Sequence, residues 1–217
     1  MAVTEIALFK VRSGKPLPSS SASLMSHLRK GIDAQQSFSK YPVRLLSQVD
    51  DPSYIYLIGG WDSVAHHWED WIPSATNQEV MDLIKDEIEF QWLRHVDIDV
   101  KENAEQTPLD ATTVRIRRFF VKSGMKQSFD EAFNTAKHRF KLAAFPNPTP
   151  LCAGWRVDKE KDQGSDEEKD EFVLFTGWNG IAHHESFANT DGFQEFQTKV
   201  GEFVDETEVK DIVKLVL

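Results

Sequence analysis

A run of apolar positions, Ile6 to Phe9 within TEIALFKVR (4–12), predicts a strand that closes on Ser13 and Gly14. VRLLSQV (43–49) and SYIYLIGGW (53–61) predict two more strands, joined at Asp50, Asp51 and Pro52, which is favourable turn chemistry. Between the first strand and these two, Leu24, Leu28 and Ile32 recur at helical spacing. Beyond Trp61, NQEVMDLIKDEIEFQ predicts a second long helix and RHVDIDV (94–100) a closing strand. The same order is then written again. TVRIRRFFVK (113–122) is its first strand, and Phe129, Phe133, Ala136 and Phe140 mark its first helix. LCAGWRV (151–157) and FVLFTGW (172–178) are its middle strands, DGFQEFQTKVGEFV its second helix and KDIVKLVL (210–217) its last strand.

Two phrases anchor the repeat: GWDSVAHHWEDW (60–71) and GWNGIAHHESFA (177–188). Upstream, LFKVRSGK (8–15) matches RFFVKSGM (118–125), so the repeated unit spans about half the chain and is longer than a solenoid repeat. Two related domains follow, 1–100 and 112–217, with KENAEQTPLDA (101–111) as a polar linker. The order β-α-β-β-α-β is the ferredoxin-like split βαβ arrangement, an α+β fold. A four-stranded sheet with helices on one face leaves the other face apolar, and packing the two sheets on each other would cover both. The expectation is an intramolecular α/β-barrel of two tandem ferredoxin-like domains, a monomeric pseudo-dimer or weak homodimer.

Composition narrows the function. The net charge of −10 argues against nucleic acid, which needs a basic face. The stretch DKEKDQGSDEEKDE (158–171) holds eight acids and three lysines and reads as a solvated loop between strands. One cysteine, Cys152, excludes an intramolecular disulfide framework and a Cys-rich zinc site, and reads as a buried strand residue. No secretory pattern or membrane-length apolar run is visible, so a cytoplasmic protein is expected.

The phrases GGWDSVAHHWEDWIPSATNQEVMDLI and TGWNGIAHHESFANTDGFQEFQTKV resemble the antibiotic-biosynthesis monooxygenase type of the dimeric α/β-barrel superfamily, once per half. The match is a strand ending in Gly-Trp, an Asp/Asn-Ser/Gly step, a short helix bearing His, and a turn into the long helix. A fused pair resembles the tandem members found in fungi. The resemblance implies a small-molecule enzyme of secondary metabolism. The superfamily includes cofactor-free oxygenation of aromatic polyketides, polyketide cyclisation or isomerisation, heme degradation, peroxide chemistry and members of no known activity. It also implies that the His of this segment lies by the substrate pocket.

The residues themselves offer these candidates. Helical geometry puts Val64, His67 and Trp71 on one face and Ile181, His184 and Ala188 on the other copy's equivalent, so His67 and His184 point inward. Each is either a packed structural imidazole or a cavity-facing acid or base. Adjacent histidines diverge by about 100° and cannot chelate one ion together, so no metal site is expected. Trp61 and Trp178 fill a core corner or wall an aromatic pocket. On the first strands Glu5, Arg115 and Arg117, with Phe9 and Phe119, share the odd-numbered face; either that face meets the space between the sheets, with Ile6 and Leu8 under the helices, or the register differs and the arginines sit at a wet barrel rim. Trp92 and His95 stand at a helix-to-strand join without counterparts in the second half, and Tyr56 could supply a phenol donor. The expected function is a cofactor-independent enzyme acting on an aromatic or polyketide-like small molecule. The alternatives are a non-catalytic binding or stress-associated barrel, and a heme protein using an inward His as axial ligand.

Overall fold

The computed structural model describes residues 1–19, 22–100, 107–143, 150–158 and 170–215, and in it the stretches read as strands pair antiparallel. They belong to two compact units, Met1–Glu105 with Ile212–Leu217, and Gln106–Asp211. The first unit contains β1 (Val3–Val11), α1 (Ala22–Ser39), β2 (Val43–Gln48), β3 (Tyr54–Trp61), a π-helical turn (His66–Trp71), α2 (Ala75–Ile84) and β4 (Ile88–Val96). Its strands are hydrogen-bonded in the order β4-β1-β3-β2, and Ile212–Lys214 at the end of the last strand pair with β2. The second contains β5 (Thr113–Val121), α3 (Lys126–Ala143), β6 (Leu151–Trp155), β7 (Asp170–Trp178), α4 (Ile181–Ala188), α5 (Asp191–Gly201) and most of β8 (Val204–Lys214), in the order β8-β5-β7-β6. The fold is α+β on eight antiparallel strands. A short 3₁₀ turn, Pro108–Asp110, falls in the stretch read as a linker. Residues 101–106, most of the acidic stretch (159–169) and the side chain of Phe140 lie outside the described residues.

Four expectations change. β4 begins at Ile88 and α2 ends at Ile84, so residues read as helix are strand. A bulge explains why: the β1–β4 register slips between Leu8 and Phe9, which face Trp92 and Phe90, and Gln91 between them breaks the period of two. Likewise β8 starts at Val204, inside the charged run VDETEVKD, where no apolar alternation marks it. That strand lies beside β5 and is held there by ion pairs, Arg118 to Glu208 and Arg115 to Asp211.

The third change reverses a face. Odd-numbered residues of β1 and β5 turn towards their own unit's helices, not away from them. Phe9 packs with Leu24, Leu28 and Ile32, while Phe119 and Val121 pack with Phe129, Phe133, Phe193 and Phe196. Glu5, Arg115 and Arg117 follow the same face because a strand's side chains repeat every two residues. Ile6 and Leu8, expected under the helices, occupy the opposite face and are buried there. Fourth, Ile181 is 40% exposed, and Phe187 takes the inward place on α4.

The two cores differ in kind. In the second unit Phe129, Phe133, Phe172 and Trp155 meet edge-on or stacked at centroid distances of 4.8–6.1 Å. Each fully buried Phe contributes about 1.5–3 kcal/mol, and the rings fill the space between sheet and helices. In the first unit the core is aliphatic: Leu24, Leu45, Ile55, Ile84 and Ile88. Ile55 stands six residues before Trp61, where Phe172 stands six before Trp178. Smaller side chains there leave room for a cavity.

Gly60 has a steric reason. A Cβ at that position would stand 2.2 Å from Tyr41 Cδ1 and 2.8 Å from Val100 Cγ2. The Tyr41 ring cannot swing away freely, because its hydroxyl is bonded to Asp62 Oδ1 at 3.0 Å. Gly60→Ala is therefore expected to cost about 1–3 kcal/mol by overpacking, read as a lower urea midpoint at unchanged slope. An unshifted midpoint would show that the Tyr41 contact is not tight.

Candidate active site

Glu5 sits mid-strand on β1, opposite Gly59 of β3 on one side and His95 of β4 on the other. Gly59 leaves space that Gln35 of α1 enters; a Cβ on Gly59 would stand 2.8 Å from Gln35 Nε2. Gln35 Nε2 donates to Glu5 Oε2 at 2.7 Å, and Trp61 Nε1 donates to the same oxygen at 2.8 Å. The carboxyl is 4% exposed. Burial pushes its pKa above the ordinary 4.5, and the opposing pull of the Trp61 and Gln35 donors and of His95 does not cancel it.

His67 reaches the same place from the π-helical turn that follows Trp61. Ser63 Oγ accepts the His66 N–H at 3.0 Å and starts the turn. The N–H of Ile72 donates to the carbonyl of His67 at 2.9 Å, five residues back, which is the widened ladder of a π-turn. His67 and Trp71 are both buried as a result. The His67 ring stacks on Trp61 at 4.4 Å with 17° between planes. Its Nδ1 is 2.7 Å from Nε2 of His95, and its Nε2 is 3.7 Å from Glu5 Oε1. Glu5, His67 and His95 thus form a line of three proton-carrying groups, with His67 and His95 each at most 1% exposed. The two imidazoles are closer than neighbouring ligands of a tetrahedral zinc bound at about 2.0–2.1 Å would stand; one donates a hydrogen bond to the other, the direction set by the tautomer.

A cavity of about 340 Å³ lies against this line, between the sheet and helices α1 and α2. That is within the range of small-molecule sites, roughly 300–1,000 Å³. Glu5, Gln35 and His67 are on its wall, and most of the remainder is apolar, including Phe9, Leu57, Trp71 and Ile84. Asn77 and Gln78 also line it, but both side-chain amides donate to the carbonyl of Ile72. Met81 and Phe90 are lining residues that reach solvent, Phe90 being 52% exposed.

The second unit repeats the corner with inverted charge. Arg115 pairs with Thr176, two residues before Trp178, as Glu5 pairs with Gly59, two before Trp61. Arg115 Nε donates to Asp211 Oδ1 at 2.7 Å and Nη2 to Oδ2 at 2.5 Å, and Nη1 lies against the His184 ring. Trp178 Nε1 donates to Thr176 Oγ1 at 2.9 Å, lacking a carboxylate to meet. Burial first, then the charges of Arg115 and Arg117, lowers the His184 pKa from 6.5 to about 4. His184 is neutral at physiological pH. Burial likewise lowers Arg117 to about 10.

Of the residues singled out from sequence, the structure gathers Glu5, Phe9 and His67 on one cavity wall, with Trp61 and His95 directly behind. Arg115, Arg117, Trp178 and His184 meet in the second unit, and Phe119 is part of the phenylalanine core. Tyr56 and Trp92 pair edge-on at 6.0 Å and stand at even register positions, opposite Leu8, on the other face of the sheet from Glu5. Gln35, Thr176 and Asp211 were not anticipated. Gln35 had a readable signal: it continues the stripe Leu24, Leu28, Ile32 as a polar residue on an apolar helix face.

Two opposite pH dependences follow. For His184 the unfolded chain binds more protons than the folded one between about pH 4 and 6.5, so stability is expected to fall as pH drops through that window. For Glu5 the folded chain binds more protons above 4.5, so stability is expected to fall as pH rises past that value until the carboxyl ionises in the folded state. Urea unfolding from pH 4 to 8 checks both: His184→Gln should flatten the acid side and Glu5→Gln the other.

No protein-family model matches the chain, and no curated protein does. Solved structures do match. A candidate monooxygenase of Fusobacterium nucleatum subsp. nucleatum superposes with a TM-score of 0.64 at 13% identity, over 99% of this chain and 93% of that one. An anthrone oxidase-like protein gives 0.63 at 10% identity, over 99% and 92%. A candidate chlorite dismutase gives 0.62 at 11% identity, over 99% and 95%. No helix among the described residues is long and apolar enough to cross a membrane. Identities this low establish a shared fold alone, and the chain has the α+β fold of these solved structures.

Proposed function

We propose that the first unit is a cofactor-independent enzyme of secondary metabolism that moves protons on a flat, uncharged aromatic or polyketide-like molecule. The observation that carries this reading is one apolar cavity ending on a buried Glu5–His67–His95 line. Glu5 is the general base. Its raised pKa makes its carboxylate a stronger base than an exposed one, and the Gln35 and Trp61 donors hold Oε2 so that Oε1 faces His67. A proton taken from a substrate C–H or O–H can pass from Oε1 to His67 Nε2 once the 3.7 Å gap closes. His67 Nδ1 then hands its own proton to His95 Nε2 across 2.7 Å.

The deprotonated substrate has two fates. With dioxygen, its enolate or phenolate supplies the electrons: the substrate carbon bonds one oxygen atom, the peroxide takes up a proton, and its O–O bond breaks with loss of the carbon's remaining hydrogen to leave a carbonyl and water. Without it, the same proton transfers drive cyclisation or isomerisation. The monooxygenase and anthrone oxidase-like names among proteins of the same fold support the first. The proposal also takes the chain as a monomeric, cytoplasmic pseudo-dimer of two ferredoxin-like units, as in the tandem fungal members of the resembled family.

A heme, the group bound by some of the superfamily, does not fit the cavity's residues. His67 has Nδ1 engaged with His95, Nε2 directed at Glu5 and one ring face covered by Trp61. The lining holds no Lys or Arg to receive propionates.

Oxygen uptake with an anthrone-like substrate tests the reading. Glu5→Gln keeps a hydrogen-bonding side chain but cannot take a proton, so kcat should fall about 10²- to 10⁴-fold while the substrate still binds. Substrate turning over without oxygen uptake selects cyclisation. Binding without turnover in the wild type overturns the catalytic reading.

A further inference from the structure

The corner around Arg117 holds more donors than acceptors. Arg117 is 7% exposed, and its guanidinium packs over the Phe193 ring at 4.8 Å. Its Nη2 is 3.4 Å from His184 Nε2, and its Nε has no hydrogen-bond partner. Beside it Asp211, the one carboxylate bonded in the cluster among the described residues, has both oxygens occupied by Arg115. His184, neutral, offers one acceptor nitrogen to two guanidiniums. Thr176, 2% exposed on the same strand face, spends its oxygen on the Trp178 N–H and keeps its own O–H to donate. A buried guanidinium without an anion is costly, and what this set lacks is an acceptor carrying negative charge.

We infer that this corner of the second unit is a binding site for a small carboxylate, held on Arg117 with Arg115 and Thr176 as further donors. A carboxylate oxygen on Arg117 Nε gives the short charge-assisted bond that this atom lacks. The way in is from the Arg115–Asp211 side, where those side chains keep 14% and 19% exposure. The site complements the first unit, whose cavity wall carries Glu5 and no cationic side chain and so disfavours anions. One duplicated corner has diverged into an acid that handles protons and a cation that holds an anion. The inference is independent of the reaction proposed for the first unit.

Acetate is the probe, added to the full chain against chloride at matched ionic strength. The expected result is a saturable rise in unfolding temperature with acetate, absent with chloride. Arg117→Met should weaken the apparent affinity roughly tenfold or more, and Arg117→Lys should recover part of it. In the wild type the His184 ring resonances should titrate at higher pH when acetate is bound, because the anion offsets the Arg117 charge; those of His67 should not move. No saturable acetate effect, an equal effect of chloride, an Arg117→Met variant that responds like wild type, or a His184 titration unmoved by acetate would each overturn the inference. Glu5→Gln, which stops the proposed turnover, should leave acetate binding unchanged.

Discussion

A hydrogen bond from the Trp61 indole to Glu5 organises the first unit. It places a carboxyl in the middle of a buried strand, where an acid without partners would be strongly disfavoured. Much around it follows from keeping that arrangement. Gly59 is side-chain-free so that Gln35 can reach the same oxygen. The Trp61 ring, fixed by its own N–H, becomes the surface on which His67 stacks. The π-turn then sets His67 so that one nitrogen meets His95 and the other looks at Glu5. Loss of the Trp61–Glu5 bond would release the carboxyl, the imidazole and the inner end of the cavity together.

The second unit shows what happens to the same framework when that carboxyl is replaced. Arg115 occupies the position of Glu5, Thr176 that of Gly59, and Trp178 turns its N–H to the threonine hydroxyl two residues away. The imidazole remains, but its neighbours are now cations, and burial together with their charge lowers its basicity. Phenylalanines take up the interior that aliphatic side chains leave partly open in the first unit. The two corners share a backbone pattern and differ in electrostatics, a buried carboxyl in one and guanidiniums in the other.

Much of the fold was legible because the repeat is written in strand endings. The strands closing on Trp61 and Trp178, and the turn into a helix after each, could be read directly, and so could the inward aim of His67 and His184. The strand beginning at Ile88 was hidden by its bulge at Gln91, and β8 by a charged sequence whose stability comes from a neighbouring strand and from Arg115 and Arg118. The face of β1 misled because both faces are buried, so alternation alone could not say which one meets the helices. Glu5 was visible as a charge in an apolar strand; that it lies under helix α1 depended on Gln35, a residue whose meaning appears only in three dimensions.

The account rests on the Glu5 carboxyl ionising above the ordinary 4.5, which makes its carboxylate, once formed, the stronger base. Infrared difference spectra of wild type against Glu5→Gln, recorded as the pH is raised from 4 to 8, measure this directly. The prediction is a protonated-carboxyl C=O band that belongs to Glu5 and persists after ordinary carboxylates have ionised. A wild-type spectrum in which that band is already gone just above pH 4.5 would contradict it.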